Sequence, residues 1–324
     1  MMHCVKQIVC CMVLLCHMQL ISFSYNFTQY HIVDTSRQEL YPHDATHPYR
    51  ELMMHIWIPV TEIPCPLILF SHGLGDNFNG MTYTQLCQYC ASQGYVVASV
   101  SHAYGCKPIQ FLDGRIAPYL FPAPFHQQPG KHMFDIEADM WVADMECALV
   151  ECARHNTDQT SLLYKKIDMA RIGAMGHSLG GAVAIQLCRK HNCFKAVINL
   201  DGPLYGTHAT VPVEIPLLMI VGSSVTQNPM PIFSGGVPFH KEFLWRYYFN
   251  QQSLPALKML AASSAQAQIV FVDKIVHGSF SDEAFNVDPV IAPFVLSGEL
   301  AHAIVYAYAK DFFDTHLQSH QPSS

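Results

Sequence analysis

One serine stands in a setting that suits nucleophilic chemistry. Ser178 lies in the stretch RIGAMGHSLGGAVAIQL, which runs from Arg171 to Leu187. Residues 172–175 are apolar or small and indicate a strand, whereas residues 182–187 follow a helical pattern. A G-x-S-x-G segment between a strand and a helix predicts a nucleophile elbow, a turn that raises the serine hydroxyl above the sheet.

Glycines flank this serine for a steric reason. The elbow holds its serine in a strained backbone conformation, and a larger side chain at Gly176 or Gly180 is expected to clash with the neighbouring strand and helix. The start of the following helix also favours negative charge beside the hydroxyl. Ser178 is therefore the predicted nucleophile. The alternative is a tight turn in which Ser178 only caps the helix.

A serine hydroxyl is a weak nucleophile until a base takes its proton, so the base and its supporting acid must lie elsewhere in the chain. In elbow-containing folds the chain order is serine, acid, histidine. Downstream of the serine, the strand-like stretch AVINLDGPL leads to Asp201, and IVFVDKIVHGSFSD places His277 after the last predicted strand. We predict that His277 is the base and that Asp201 orients its ring and stabilises the imidazolium.

Other acids and histidines compete for these two roles. Asp273 precedes His277 by four residues, at the end of a predicted strand, whereas Asp282 and Asp288 fall in the loop that follows it. Other histidines lie downstream of the serine without following a strand end, among them His191, His208, His240, His302 and His316. These residues are interpreted as surface or packing residues, with Asp282 bracing the loop of the base.

Ester cleavage also requires two backbone N–H groups that face the developing oxyanion. One is expected from the residue after the nucleophile, Leu179, and one from the first strand-to-helix loop. That loop is the glycine-rich turn in LILFSHGLGDN, where Leu74 is the predicted second donor. His72 and His177 lie beside these donors and are interpreted as supporting residues, with His177 pointing away from the serine.

Short apolar runs alternate with longer helical patterns, which indicates an α/β fold with a mostly parallel sheet. The predicted strands are Leu52–Ile58, Leu67–Phe70, Val96–Val100, Ile172–Ala174, Ala196–Asn199, Leu217–Val221 and Ile269–Val272. The predicted helices are Thr82–Gln93, Ile136–His155, Gly180–Lys190 and Ala301–His316. Residues 103–131 form a predicted long loop. The aromatic-rich segment 228–268 is either a cap over the site or a helix packed on the sheet.

Composition excludes several classes of protein. Half of the 324 residues are hydrophobic, 13% are charged and the formal net charge is −7. These values exclude a disordered chain, and the absence of a basic block argues against a nucleic-acid partner. Any contact with a lipid surface would have to be apolar, and nothing in the sequence points to a protein partner.

The N-terminus differs from the rest of the chain. Residues 1–24 contain Lys6, an apolar run and then small residues at Ser22 and Ser24, an order typical of a secretory signal peptide. We therefore expect export to the periplasm or the cell exterior, and a single catalytic domain over residues 25–324. A cytosolic tail and an uncleaved membrane anchor are the alternatives.

The cysteines indicate neither a redox pair nor a metal site. Of twelve cysteines, eight lie beyond residue 24, an even number that permits disulfides without defining their pairing. Cys87 and Cys90 form a C-x-x-C inside a predicted helix, and no second set of ligands completes a zinc site. We expect neither a metal nor a cofactor.

Several strings together carry a family resemblance. In chain order they are PLILFSHGLGDN, GYVVASVSHAYG, FLDGRIAP, MGHSLGGAVAIQL, INLDG and VHGSFSD. From about Arg50 onward the chain resembles the plasma-type (lipoprotein-associated) platelet-activating-factor acetylhydrolases and their bacterial relatives, in the α/β-hydrolase superfamily. The resemblance implies an α/β-hydrolase fold and the same five residues: Ser178, Asp201, His277, Leu74 and Leu179.

The same resemblance implies a metal-independent esterase that releases short or modified acyl chains from phospholipids through an acyl-enzyme. A general short-chain carboxylesterase or polyesterase is the alternative, because SVSHAYGCKPIQFLDGR is more similar to the bacterial relatives. A non-catalytic binding module of the same fold is a further alternative. A cysteine-dependent hydrolase is excluded because the elbow holds a serine.

Overall fold

The computed structural model describes residues 22–41, 46–76, 82–207, 211–222, 253–287, 289 and 292–318. Eight strands form the main sheet: β1 (Tyr25–Gln38), β2 (Tyr49–Pro59), β3 (Cys65–Ser71), β4 (Val96–His102), β7 (Ile167–His177), β8 (Phe194–Leu200), β9 (Leu217–Gly222) and β10 (Ala267–Val272). A separate two-stranded hairpin pairs β5 (Ile109–Gln110) with β6 (Ile116–Ala117).

Five α-helices accompany the sheet within the described residues: α1 (Thr84–Ser92), α2 (Met133–Thr157), α3 (Leu179–Lys190), α4 (Leu254–Ser263) and α5 (Gly298–Leu317). Short 3₁₀ turns occur at Pro124–His126, His277–Phe280, Asp282–Phe285 and Ala292–Phe294. Among the described residues, no helix is both long and apolar enough to cross a bilayer.

The order of the strands determines where the predicted site residues lie. The sheet runs β1-β2-β4-β3-β7-β8-β9-β10, with β1, β2 and β4 paired antiparallel and every pair from β4 to β10 parallel. The carboxyl ends of β3, β7, β8 and β10 therefore meet at one edge, where α/β sheets place their ligands. The loops that carry the predicted site residues all leave from this edge.

Alternate residues of the strands face two different cores. Leu67 and Leu69 of β3 lie in a cluster with α2, α3 and α4, whereas Ile68 and Phe70 lie in a second cluster with α1 and α5. The strands β2, β3, β4, β8 and β9 are buried on both faces, as their continuous apolar runs indicate. The sheet is thus a layer between two layers of helices.

The α/β prediction with a mostly parallel sheet is confirmed. All seven predicted strands and all four predicted helices are present, with ends that agree to within about five residues. The sequence reasoning missed β1 and the short hairpin β5–β6 within the predicted 103–131 loop.

Helix α4 falls inside the segment predicted as a cap or a packed helix. Its Leu254, Leu257 and Leu260 are buried in the same cluster as α2 and α3, so this part packs on the core. Residues 228–252 lie outside the described part of the chain, and a lid there stays a prediction.

The eight cysteines beyond residue 24 are all free thiols. Cys87 and Cys90 lie within α1 and are buried, in agreement with the helical prediction for the C-x-x-C. Burial raises the pKa of the Cys90 thiol to about 12, with a further contribution from Asp314. A thiol held neutral in this way is a poor nucleophile, which supports a packing role.

Candidate active site

Ser178 lies at the sharp turn between β7 and α3. Its backbone angles are φ 56° and ψ −125°, a conformation that a residue with a Cβ rarely adopts. The serine is the N-cap residue of α3, yet its side chain makes no capping hydrogen bond. The strained turn therefore serves to aim the hydroxyl rather than to cap the helix.

Two glycines allow this turn to pack against its neighbours. A Cβ on Gly176 would lie 2.1 Å from the carbonyl oxygen of Gly180, and one on Gly180 would lie 2.2 Å from that of Ser71. Both contacts are with backbone, which cannot move aside as a flexible side chain can. The predicted steric reason for these glycines agrees with this geometry.

The structure brings Ser178, His277 and Asp201 together. His277 Nε2 lies 2.9 Å from Ser178 Oγ, and His277 Nδ1 lies 2.8 Å from Asp201 Oδ2. A carboxylate can only accept, so Nδ1–H donates to Asp201 and Nε2 is left to accept the serine proton. The Asp201 side chain is fully buried, whereas the His277 side chain is 19% exposed.

A short turn after β8 fixes the carboxylate of Asp201. The residue has φ 50°, and Asn199 closes the turn because its Oδ1 accepts from the Gly202 N–H at 2.7 Å. The second carboxylate oxygen, Oδ1, accepts from the Gly222 N–H at the end of β9, at 3.0 Å. With both oxygens held, the acid can orient the imidazole without moving itself.

The rival acids and bases that the structure describes lie elsewhere or have other partners. Asp282 accepts from the Gln85 N–H, and its own N–H donates to the Thr82 carbonyl, so it braces the loop after His277 as predicted. Burial raises the pKa of Asp282 to about 6 although backbone N–H groups oppose the shift. Asp273 lies just past the end of β10.

The other downstream histidines pair away from the serine or lie outside the described chain. His191 contacts Glu146, His302 contacts the Ser281 carbonyl and the Tyr306 hydroxyl, and His316 packs on Phe312. His208, His240 and Asp288 lie outside the described residues.

The predicted oxyanion turn follows β3 directly. Leu74 is half-buried between Gly73 and Gly75, and Leu179 is buried at the first position of α3. His72 supports the turn, because its Nε2 accepts from the His102 N–H at 3.1 Å and its Nδ1–H donates to the Gly73 carbonyl at 2.8 Å. Burial, with His102 nearby, holds the pKa of His72 well below its usual range, so the ring is neutral.

A tyrosine that the sequence reasoning did not single out lies behind this turn. Tyr83 is fully buried, and its hydroxyl lies within hydrogen-bond distance of Asp76, the Gly73 N–H and His177 Nδ1. His177 does not bond to the serine; its ring packs against that of His277, with centroids 4.4 Å apart. No short motif marks this contact, because Tyr83 comes from a separate part of the chain.

A buried ion-pair network also lies near the site and was missed. Arg50 binds both oxygens of Asp144 at 3.1 and 2.7 Å and reaches Glu39 at 3.0 Å. Asp144 also accepts a hydrogen bond from His102 Nδ1. The other ring nitrogen of His102, Nε2, contacts the Ser71 hydroxyl. Burial alone would raise the pKa of Asp144, but Arg50 and His102 hold it well below its usual range.

One group of side chains within the described residues has ligand atoms close enough to hold a metal ion: His31, Glu51 and Asp113. Arg115 already occupies it, with its guanidinium 2.6 Å from Glu51 and 2.7 Å from Asp113. The positive charge of this guanidinium would repel a metal ion bound to the same carboxylates. The group involves neither Ser178 nor His277.

The sheet order, the elbow and the acid and histidine loops at one sheet edge define an α/β-hydrolase fold. A solved ferulic acid esterase from Streptomyces cinnamoneus superposes with a TM-score of 0.68, covering 95% of each chain at 22% identity. The predicted fold class is thus confirmed.

Within that fold the chain resembles the platelet-activating-factor acetylhydrolases. The family model "Platelet-activating factor acetylhydrolase, isoform II" matches residues 58–106, and a "PET hydrolase-like" model matches residues 136–248. The resemblance stated from the sequence motifs is confirmed by these matches and by the curated relatives.

Three relatives illustrate the resemblance. A platelet-activating factor acetylhydrolase of Gallus gallus is 24% identical over 72% of this chain and 57% of its own length. A probable 1-alkyl-2-acetylglycerophosphocholine esterase of Arthroderma benhamiae is 28% identical over 78% of this chain and 60% of its own. The Bos taurus acetylhydrolase is 24% identical over 79% and 57%. The matched region thus spans about three fifths of each relative.

Proposed function

We propose that this protein is a serine-dependent carboxylic ester hydrolase that releases short or modified acyl chains from phospholipids. The observation that carries the proposal is the position of His277, which lies within hydrogen-bond distance of both Ser178 and Asp201. A binding module would have no need to hold a serine in a strained turn opposite a histidine. The non-catalytic alternative is therefore disfavoured.

The proposed chemistry proceeds in two halves. His277 Nε2 takes the Ser178 proton as Oγ attacks the ester carbonyl carbon, and the Leu74 and Leu179 N–H groups stabilise the oxyanion. The protonated imidazole then donates its proton to the alkoxide leaving group as the ester bond breaks. The acyl group stays bound to Ser178 Oγ as the acyl-enzyme. Water, deprotonated by the same nitrogen, releases the carboxylic acid and restores Ser178.

The substrate class rests on the relatives. The curated relatives carry the names of platelet-activating-factor acetylhydrolases and of an alkylacetylglycerophosphocholine esterase, both of which describe an acetyl ester on a glycerophospholipid. An sn-2 acetyl phospholipid is therefore the first substrate to test. The reaction would be of the phospholipase A2 type, since it removes the sn-2 acyl group.

The test compares an sn-2 acetyl phospholipid with a short-chain aryl ester, on the wild type and on Ser178→Ala. We expect release of acetate from the phospholipid at the higher kcat/KM, and a loss of roughly 10⁴-fold or more in the variant. Equal efficiency on both esters, without a response to lipid interfaces, would count against the phospholipid. Turnover retained in Ser178→Ala would contradict the serine mechanism.

A general carboxylesterase or polyesterase is the second candidate. It is favoured by the match of residues 136–248, which include the elbow, to a PET hydrolase-like family model. A soluble aryl ester or a polyester film cleaved faster than the phospholipid would support it.

We also propose that residues 1–24 direct export and are then removed. The support is the order of charged, apolar and small residues at the N-terminus, a segment that falls almost wholly outside the described chain. N-terminal sequencing of the protein recovered after expression of the full chain tests this. A first residue at about position 25 would agree, and an intact N-terminus inside the cell would overturn it.

A further inference from the structure

The two predicted oxyanion donors belong to different elements. Leu74 lies in the turn after β3, and Leu179 lies in the elbow after β7. These strands pair in parallel up to Ser71 and Gly176, where the ladder ends. Beyond the ladder, the backbone of Gly180 in the elbow packs against the carbonyl groups of Ser71 and His72, and a side-chain contact can add to this packing.

Tyr83 supplies such a contact from a third element. It is the N-cap residue of α1, and its ring packs on Phe70 of β3 with centroids 5.1 Å apart. Its hydroxyl oxygen lies 3.2 Å from the Gly73 nitrogen, next to Leu74, and 2.6 Å from His177 Nδ1, next to Ser178. The hydroxyl oxygen of Tyr83 thus contacts both Gly73, which precedes Leu74, and His177, which precedes Ser178.

Hydrogen-bond chemistry fits this arrangement. A tyrosine hydroxyl has one proton to donate and two lone pairs to accept with. The proton goes to Asp76 Oδ2 at 2.6 Å, so the lone pairs receive the Gly73 N–H and the His177 Nδ1–H. Asp76 sits at the far end of the same turn, where its N–H also donates to the Gly73 carbonyl.

We propose that Tyr83 is a positioning residue, whose hydroxyl fixes the turn of Leu74 against the elbow of Ser178 and Leu179. The contact also reaches the base, because the His177 ring lies against His277. Loss of the Tyr83 hydroxyl keeps every reacting group in the site but allows the N–H groups of Leu74 and Leu179 to change their relative position. This inference rests on the proposed ester hydrolysis.

The first test is Tyr83→Phe, which keeps the ring and removes only the hydroxyl. We expect kcat on a short-chain aryl ester to fall by about 10- to 100-fold while KM changes less than about threefold, since misplaced donors act mainly on the transition state. Tyr95→Phe is the matched control. Tyr95 is equally buried and donates to Asp314 at 2.6 Å from a position at the opposite edge of the sheet.

The second test is His177→Phe, which keeps a ring beside His277 and removes the other end of the contact. The double variant with Tyr83→Phe is expected to lose no more than the worse single variant, because both remove one shared bond. If Tyr83→Phe does not fold, as judged by circular dichroism, the kcat of His177→Phe decides alone.

Each outcome bears on the inference. A fall in kcat for Tyr83→Phe with Tyr95→Phe within about twofold of the wild type, together with non-additive losses, supports it. Unchanged kcat in Tyr83→Phe, equal losses in both tyrosine variants, or fully additive losses with His177→Phe would overturn it while ester hydrolysis stands. A folded wild type without turnover on any ester would refute the proposed function and this inference with it.

Discussion

At the scale of single residues, the candidate site could be located from sequence because its members follow strand ends in a fixed chain order. Ser178 was indicated by its glycines, and Asp201 and His277 by the strands before them. The supporting residues could not be found in this way. Tyr83 acts through contacts with residues from other elements and lies in none of the motifs. Asn199 lies in the string INLDG, but the string does not show that its side chain closes the turn onto Gly202.

The acid assignment predicts a clear difference between two aspartates. Asp201→Asn should lower kcat by about 10³-fold or more, because an amide can leave the His277 ring in the wrong tautomer. Asp282→Asn should stay within about threefold of the wild type, since Asp282 contacts backbone rather than the imidazole. Steady-state kinetics on one aryl ester checks both variants. The reverse pattern would assign the acid to Asp282.

The pH dependence of turnover follows from the role of His277. The base must be neutral to take the Ser178 proton, so kcat/KM should fall towards acid pH as the imidazole becomes protonated. A kcat/KM profile measured from about pH 4 to pH 9 checks this. Activity that stays level down to about pH 4 contradicts a histidine base.

At the scale of elements, the buried strands were predictable because they are continuous apolar runs, whereas β1 was not. Residues of β1 alternate between exposed and partly buried positions, and the strand pairs only with β2 in the sheet order, so its sequence is mixed. Helix α4 was obscured for another reason. It lies next to an aromatic-rich segment, and its pattern alone could not separate a cap from a packed helix.

Close packing between the elbow and β3 gives a prediction for one glycine. Gly180→Ala places a Cβ against the carbonyl oxygens of Ser71 and His72, at 2.2 and 2.4 Å before relaxation. We expect a loss of roughly 1–3 kcal/mol or more in the free energy of unfolding, with a fall in kcat because the elbow must shift. Chemical denaturation and kinetics of the same sample measure both.

Ala184→Gly in the same helix is the control for that variant. It removes a buried methyl group and should cost on the order of 1 kcal/mol without moving the elbow. A Gly180→Ala variant as stable and as active as the wild type would contradict the described packing.

At the scale of the whole molecule, a buried arginine links several elements of the first half of the chain. Arg50 of β2 joins Asp144 of α2, Glu39 beyond β1 and the Ala103 carbonyl beyond β4. Composition gave no sign of this network, because charged residues are few and their pairing joins positions far apart in sequence. Such a group is costly to break, since the remaining charges stay buried.

Removal of the arginine should therefore destabilise the whole fold. Arg50→Met leaves Glu39 buried without its cation and leaves Asp144 with only the partly exposed Arg37, 2.8 Å away, and we expect a loss of about 3–5 kcal/mol in the free energy of unfolding. Arg154→Met removes an exposed ion pair with Glu151 and should cost less than about 1 kcal/mol. Urea denaturation compares the two. Equal losses in the two variants would show that the buried ion pairs contribute no more to the free energy of unfolding than the exposed pair does.

Asp282 predicts a pH effect on stability. Its pKa is raised to about 6 in the folded protein from an ordinary value near 3.8, so the folded state binds more protons between these values. Its contribution to stability is complete below about pH 4 and is lost as the pH rises through about 6. Asp282→Asn should thus gain stability relative to the wild type between pH 4 and pH 7. A difference that does not change with pH would contradict the raised pKa.

The central claim is that Ser178 is an activated nucleophile, and reaction with a fluorophosphonate tests it most directly. We would measure intact mass and then map the modified peptide, for the wild type, Ser178→Ala and His277→Ala. The account predicts one adduct on the wild type, located at Ser178, and none on either variant in the same time. A folded wild type that remains unmodified, or an adduct that persists in Ser178→Ala, would contradict it.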